Sequence, residues 1–148
     1  VGDSAGGFLA VKTALWTISQ GVQMAEKMVL VYPVIDSSMR TDSMAEFTDT
    51  PVWNGKLNAK MWRYYLQGES EESLLDLDEV LRLLPPTYLE TAEFDCLRDE
   101  GAIFVQRLQD AGVETSYIAT KGTMHGFDMA QKSDITLAQI EARCKWLE

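Results

Sequence analysis

The sequence predicts an α/β fold, with parallel strands alternating with helices around one sheet. Two observations carry this. The run Met28–Ile35 is continuously β-branched and apolar, with no polar alternation, which suits a strand covered on both faces. The rest of the chain switches between helical periodicity and extended runs, in the order helix, strand, helical insertion, strand, helix, strand, helix. Strands that alternate with helices are joined by right-handed crossovers into a parallel sheet. With 148 residues, 46% of them apolar, the chain has the length and composition of one core-forming domain.

In chain order, Ala5 to about Gln20 reads as a buried helix, because Phe8, Val11, Leu15 and Ile18 recur at helical spacing beside Ala10 and Ala14. Gly21 closes it. The first strand follows at Met28–Ile35, with Pro33 expected at its end because proline cannot donate to a ladder. From Asp36 to about Asn54 the composition is small and polar and reads as an excursion outside the sheet. Asn58–Gly68 is helical, with Met61, Trp62, Tyr65 and Leu66 on one side, and a short helix is expected over Ser73–Leu84 before Pro85-Pro86. Thr87–Ala92 is the second strand and Asp99–Ala111 a helix packed through Ile103, Phe104, Val105 and Leu108. Glu114–Ala119 is a third, alternating strand, followed by a glycine-containing loop, Lys121–Phe127. Ser133 caps a last helix on which Leu137, Ile140, Cys144 and Leu147 share a face.

The net charge of −10 argues against a phosphate-backbone partner or an anionic membrane surface, both of which need clustered Lys and Arg. The acidity gathers at Glu69–Glu72 and Asp76–Glu79, which reads as a solvated face. Cys96 and Cys144 stand in no metal-ligand spacing, so a reduced, cytoplasmic protein is expected, with neither metal nor cofactor. No apolar run approaches the ~18 residues of a membrane span.

The stretch Gly2-Asp3-Ser4-Ala5-Gly6-Gly7 fits G-x-S-x-G, the sharp strand-to-helix turn that lifts a serine Oγ clear of the backbone. Side chains at positions 2 and 6 are expected to clash in so crowded a turn. Only Val1 precedes the motif, so the strand ahead of it reads as missing and Met28–Ile35 as having an exposed edge. A serine hydroxyl needs a base, and that base needs an orienting group. His125 is the one histidine, so the choice of base is forced. It follows a strand and comes after the serine, in the chain order serine, acid, histidine. The acid is expected at the end of the intervening strand, where Asp95 lies; spacing leaves Asp99 open, although Asp99 and Glu100 suit the first turn of the next helix.

These segments, Gly2–Gly7, Asp95–Gly101 and His125-Gly126-Phe127, together with Tyr32-Pro33, resemble the hormone-sensitive-lipase-like carboxylesterases, also described as α/β-hydrolase fold-3. The resemblance runs over essentially the whole chain. It implies the C-terminal portion of an α/β-hydrolase fold, with a helical cap-like insertion at about 52–84. Residues 1–148 would be a partial domain that starts at the nucleophile elbow and lacks the N-terminal strands and the upstream His-Gly-Gly-Gly motif of the oxyanion hole. It also implies Ser4 as nucleophile, Asp95 as acid and His125 as base, agreeing with the residue-level reading. The Ala5 amide would be the remaining oxyanion donor, and losing one such donor typically costs ~10²–10³ in rate. Trp53, Met61, Trp62 and Tyr65 are pocket candidates. The implied activity is hydrolysis of short-chain acyl esters through an acyl-enzyme, on a small-molecule ester, with a homodimer contact through the last strand and helix. Cys96 departs from the family, which commonly has Pro there. That activity is expected of the parent protein, and residues 1–148 by themselves are expected to be inactive. The rival readings are a non-catalytic binding homologue, as in gibberellin receptors that lack the histidine, and an inactive fragment of the esterase.

Overall fold

The computed structural model describes residues 1–23 and 25–148, residue 78 by its backbone alone. A four-stranded parallel sheet has the order β1-β2-β3-β4: β1 Gly2–Asp3, β2 Met28–Val31, β3 Thr87–Phe94 and β4 Thr115–Met124. The helices are α1 Ala5–Ser19, α2 Asp42–Glu46, α3 Gly55–Leu66, α4 Asp78–Leu81, α5 Arg98–Asp110 and α6 Asp134–Leu147. Single 3-10 turns lie at Leu74–Asp76 and Phe127–Met129.

Successive residues of β2 face opposite sides of the sheet. Met28 and Leu30 enter one core with Phe8, Val11, Leu89, Phe104 and Leu108, between the sheet and α1 and α5. Val29 and Val31 enter a second, smaller core with Tyr88, Ala92 and Phe127, beneath Ile135, Ala142 and Trp146 of α6. All four β2 residues are buried, as the unbroken apolar run requires. Burying one such side chain contributes about 1.5–3 kcal/mol, so this short strand is held mainly by its two faces.

Several expectations are corrected. A strand does precede the Ser4 turn: Gly2 and Asp3 pair with Leu30 and Val31, so the upper edge of β2 is covered. β2 stops at Val31 and does not reach Ile35, because Tyr32 turns to φ 34° and Pro33 cannot donate. The polar stretch from Asp36 contains α2, and α3 starts earlier than expected, where Asn54 Oδ1 accepts from the Leu57 amide. The helix expected over Ser73–Leu84 is broken into a 3-10 turn and the single turn of α4. β4 continues through Lys121–Met124, where a loop was expected; a register shift between Ala92 and Phe94 lets Met124 pair with Phe94.

On α6, Ser133 does cap the helix by accepting from the Thr136 amide at 3.3 Å. The row Leu137, Ile140, Cys144 and Leu147, however, is exposed, and the helix instead meets the sheet through Gln139, Arg143 and Trp146 and the Phe127–Met129 turn through Thr136.

Candidate active site

Ser4 sits between β1 and α1 with φ 52° and ψ −126°, a conformation L-residues rarely adopt. Its amide donates to Val31 O at 2.9 Å, and its carbonyl accepts from Gly7 N and Val34 N, each at 3.0 Å. A Cβ at Gly2 would lie 2.2 Å from Gly6 O, and one at Gly7 would lie 2.5 Å from Pro33 Cβ. The expected clash at Gly6 is not found: its nearest neighbour would be Asp3 Oδ1 at 3.8 Å, ordinary contact. The second crowded glycine is therefore Gly7, set by the approach of Pro33.

Asp95 follows β3 and is fully buried. Its Oδ1 accepts from the Leu97 amide at 3.0 Å, and its Oδ2 is 2.7 Å from His125 Nδ1. His125 follows β4, is 5% exposed, and places Nε2 2.9 Å from Ser4 Oγ. A carboxylate only accepts, so with Asp95 as the acceptor Nδ1 carries a proton, and Nε2 is the ring nitrogen left facing Ser4 Oγ. Three segments far apart in sequence thus meet in one hydrogen-bonded line at the C-terminal ends of the strands.

Asp99, the alternative acid, is occupied elsewhere. Its Oδ2 accepts from Ser43 N at 2.7 Å and its Oδ1 from Arg98 Nε at 2.8 Å, while Asp99 N donates to Ser43 Oγ at 3.1 Å. Burial works against its ionised form, but the Arg98 and Ser43 hydrogen bonds prevail and hold the carboxyl below its ordinary range. Ser43 also donates to Cys96 O at 2.9 Å, so α2 clamps the loop that carries Asp95. Glu100 lies in the first turn of α5 as expected, but it is fully buried, and its Oε1 accepts from Ile35 N at 2.7 Å. Burial pushes its carboxyl well above the ordinary range, against the backbone donors of Ile35 and Asp36. Burial likewise pushes the Cys96 thiol up, reinforced chiefly by the neighbouring Asp95, which keeps it protonated.

The four pocket candidates separate. Trp53 stacks near His125, with ring centroids 6.0 Å apart at 30°. Trp53, Met61 and Tyr65 line an open cavity of about 550 Å³ with Ala5, Leu57, Lys60 and Tyr64. Trp62 is buried, edge-on to Phe8 at 5.2 Å, and reaches only a smaller apolar recess of about 60 Å³ below Ala5. A further cleft of about 330 Å³ beside α1 and Met28 is lined by none of these residues. Sequence reasoning did not find Ser43, Tyr32, Glu90, Asp128 or Arg143 at the site. The bonds that tie Ser43 to Asp99, Tyr32 to Asp128 and Arg143 to Glu90 and Asp128 span 15 to 96 residues, and although Tyr32-Pro33 belongs to the resembling segments, no local motif points to these contacts.

A sheet of this order with a strained serine turn and a histidine after the last strand defines a class, the α/β hydrolases. A family model described as alpha/beta hydrolase fold matches residues 1–129, and the chain belongs to that family. A protein of Acanthamoeba polyphaga mimivirus named as an alpha/beta hydrolase is 35% identical over 135 residues, which span 86% of this chain and 38% of that one. An esterase of Gibberella moniliformis is 31% identical over 134 residues, spanning 85% of this chain and 42% of its own length. Among solved structures, a bacterial heroin esterase superposes with a TM-score of 0.88 at 35% identity, covering 98% of this chain and 49% of that one. The esterase LipW of Mycobacterium marinum superposes with a TM-score of 0.83 at 30% identity, covering 95% and 46%. The chain spans less than half the length of these relatives. Among the described residues no helix is long and apolar enough to cross a membrane.

Proposed function

We propose that the chain carries the reacting side chains of a serine carboxylic ester hydrolase, acting on small acyl esters through an acyl-enzyme. The observation that carries this reading is the hydrogen-bonded line from buried Asp95 through buried His125 to half-buried Ser4, at 2.7 and 2.9 Å. Relatives named as esterases support it.

In the first half-reaction Ser4 Oγ attacks the ester carbonyl carbon while His125 Nε2 takes the hydroxyl proton. Asp95 accepts from Nδ1–H throughout, which fixes the tautomer and stabilises the imidazolium that forms. The Ala5 amide lies in the first turn of α1, where backbone N–H groups have no intrahelical partner, and it donates to the developing oxyanion. Collapse of the tetrahedral intermediate breaks the ester C–O bond, and His125 returns its proton to the departing alkoxide. Water, deprotonated by the same nitrogen, then attacks the acyl carbon; the acyl-Ser4 bond breaks, Ser4 Oγ takes the proton back from His125, and the acid is released. Trp53, Leu57, Met61 and Tyr65 give the substrate an apolar wall beside Ala5, suited to a short acyl or aryl group.

The test is hydrolysis of p-nitrophenyl acetate by the protein and by its Ser4→Ala variant. Turnover should vanish in the variant, and hydrolysis at the wild-type rate overturns the assignment.

A further inference from the structure

Tyr32, immediately after β2, has φ 34°. A bulky L-residue in that region is strained, and such strain persists only where the surroundings over-determine it. Here the surroundings hold Tyr32 at three points. Its amide donates to Glu90 O at 2.7 Å. Its ring packs against the His125 imidazole, with centroids 4.5 Å apart at 50°, and edge-on to Phe127 at 6.1 Å. Its hydroxyl donates to Asp128 Oδ1 at 2.6 Å.

The third point continues into a chain of charge-assisted bonds. Asp128 Oδ2 accepts from Arg143 Nη1 of α6 at 3.0 Å. Arg143 then forks onto Glu90, Nε to Oε2 at 3.0 Å and Nη2 to Oε1. Glu90 is fully buried in β3, and its Oε2 also accepts from Tyr88 O–H at 2.9 Å. Bonds of this kind are roughly twice as strong as neutral ones. α6 is thereby tied to the middle of the sheet and, through Asp128, to the ring beneath His125.

We propose that Tyr32 is a positioning residue for His125, a floor that keeps the imidazole in line with Ser4, with Asp128 and Arg143 as its anchor. The role rests on the reading of His125 as the general base. The Asp95 bond fixes one nitrogen of the ring but leaves it free to swing about that bond. Contact with the tilted Tyr32 ring, 4.5 Å away between centroids, removes the swing and holds Nε2 opposite Oγ. A misplacement of about 1 Å at such a point costs on the order of 10²-fold in rate.

His125 is the only histidine in the sequence, so its ring resonances are identified in the nuclear magnetic resonance spectrum of the 148-residue chain without ambiguity. The measurement is the exchange with water of the His125 Nδ1–H proton, in wild type, Asp128→Asn and Tyr32→Phe. Asp128→Asn keeps the shape of the site and weakens the anchor; Tyr32→Phe keeps the ring and removes the hydroxyl. Each variant is first shown to unfold cooperatively. Exchange should quicken about tenfold in both, the factor for losing about one net hydrogen bond. In ester hydrolysis kcat should fall about 10²-fold with KM unchanged. Exchange at the wild-type rate in both folded variants overturns the proposal and makes Tyr32 core filling. Faster exchange in the variants, together with no Ser4-dependent hydrolysis by the wild type, overturns the general-base reading and the role that rests on it. Because exchange reads the ring without turnover, the two failures are told apart.

Discussion

At the scale of single residues the two aspartates near the site behave as opposites, although they are four positions apart. Asp95 is fully buried and faces His125, whereas Asp99 spends its oxygens on Ser43 and Arg98. Asp95→Asn should therefore lower ester turnover by about 10⁴, the scale seen when a triad acid is replaced by its amide. Asp99→Asn should cost about 1–3 kcal/mol of stability through its paired donors and less than about tenfold in activity. Steady-state kinetics and urea titrations of both variants check this, and the reverse order moves the acid to Asp99. The glycines give a second contrast. Gly2→Ala forces a Cβ to 2.2 Å from Gly6 O and should unseat the turn, while Gly6→Ala makes only ordinary contact, 3.8 Å from Asp3 Oδ1. Thermal unfolding should show Gly6→Ala stabilised by about 0.5–1 kcal/mol and Gly2→Ala clearly destabilised. Ser4, His125 and Asp95, which meet in one hydrogen-bonded line, are marked in the sequence by a local motif, a unique histidine and chain order. The role of Gly7 was not legible, because Pro33, which crowds it, lies in another element.

At the scale of elements, periodicity located α1, α3, α5 and α6 but did not tell which side of α6 meets the sheet. Leu137, Ile140 and Leu147 share a row as expected, yet the row faces outward. A helical repeat shows which residues lie together; the partner surface decides which row is covered. Here the deciding partner is polar. Glu90, buried in the centre of β3, calls for a cation, and Arg143 is the residue of α6 that supplies it. Seating Arg143 on Glu90 and Asp128 turns the row of Leu137 away from the sheet. Removing only the cation leaves two carboxylates facing one another, one of them fully buried. Arg143→Met should thus cost about 3–5 kcal/mol, read as a lower midpoint in guanidinium titration. The double variant Arg143→Met with Glu90→Gln should recover part of that loss. A single variant as stable as wild type shows that the pair does not hold α6.

At the scale of the whole molecule, the segment after β2 joins the sheet, the serine turn and α5. Val34 N holds Ser4 O, Ile35 N is held by Glu100 Oε1, and Tyr32 supports His125. Glu100 is buried with its carboxyl pushed well above the ordinary value of 4.5, chiefly by loss of solvent. Below that value both the folded and the unfolded chain hold the proton, and Glu100 adds no pH dependence. As pH rises past 4.5 the unfolded chain releases it while the folded chain keeps it, so the folded state binds more protons and stability falls. The decline continues up to the folded value, with a slope of at most about 1.4 kcal/mol per pH unit for one group. Asp99 and Glu93 act in the other direction, since their folded carboxyls lie below 3.8 and 4.5. What they contribute is complete above those values and is lost as pH falls through their folded ones. Acid loss and neutral-side decline therefore come from different residues. Guanidinium titrations from about pH 5 to 8 should show wild-type stability falling and Glu100→Gln nearly flat. Gln keeps the acceptor for Ile35 N, but its amide nitrogen replaces Oε2, which has no partner among the described residues. That adds a penalty of about 1–3 kcal/mol at every pH, so the slope and not the level is diagnostic. Parallel curves for the two proteins would mean that Glu100 is ionised in the fold, with its charge met by the Ile35 and Asp36 amides alone.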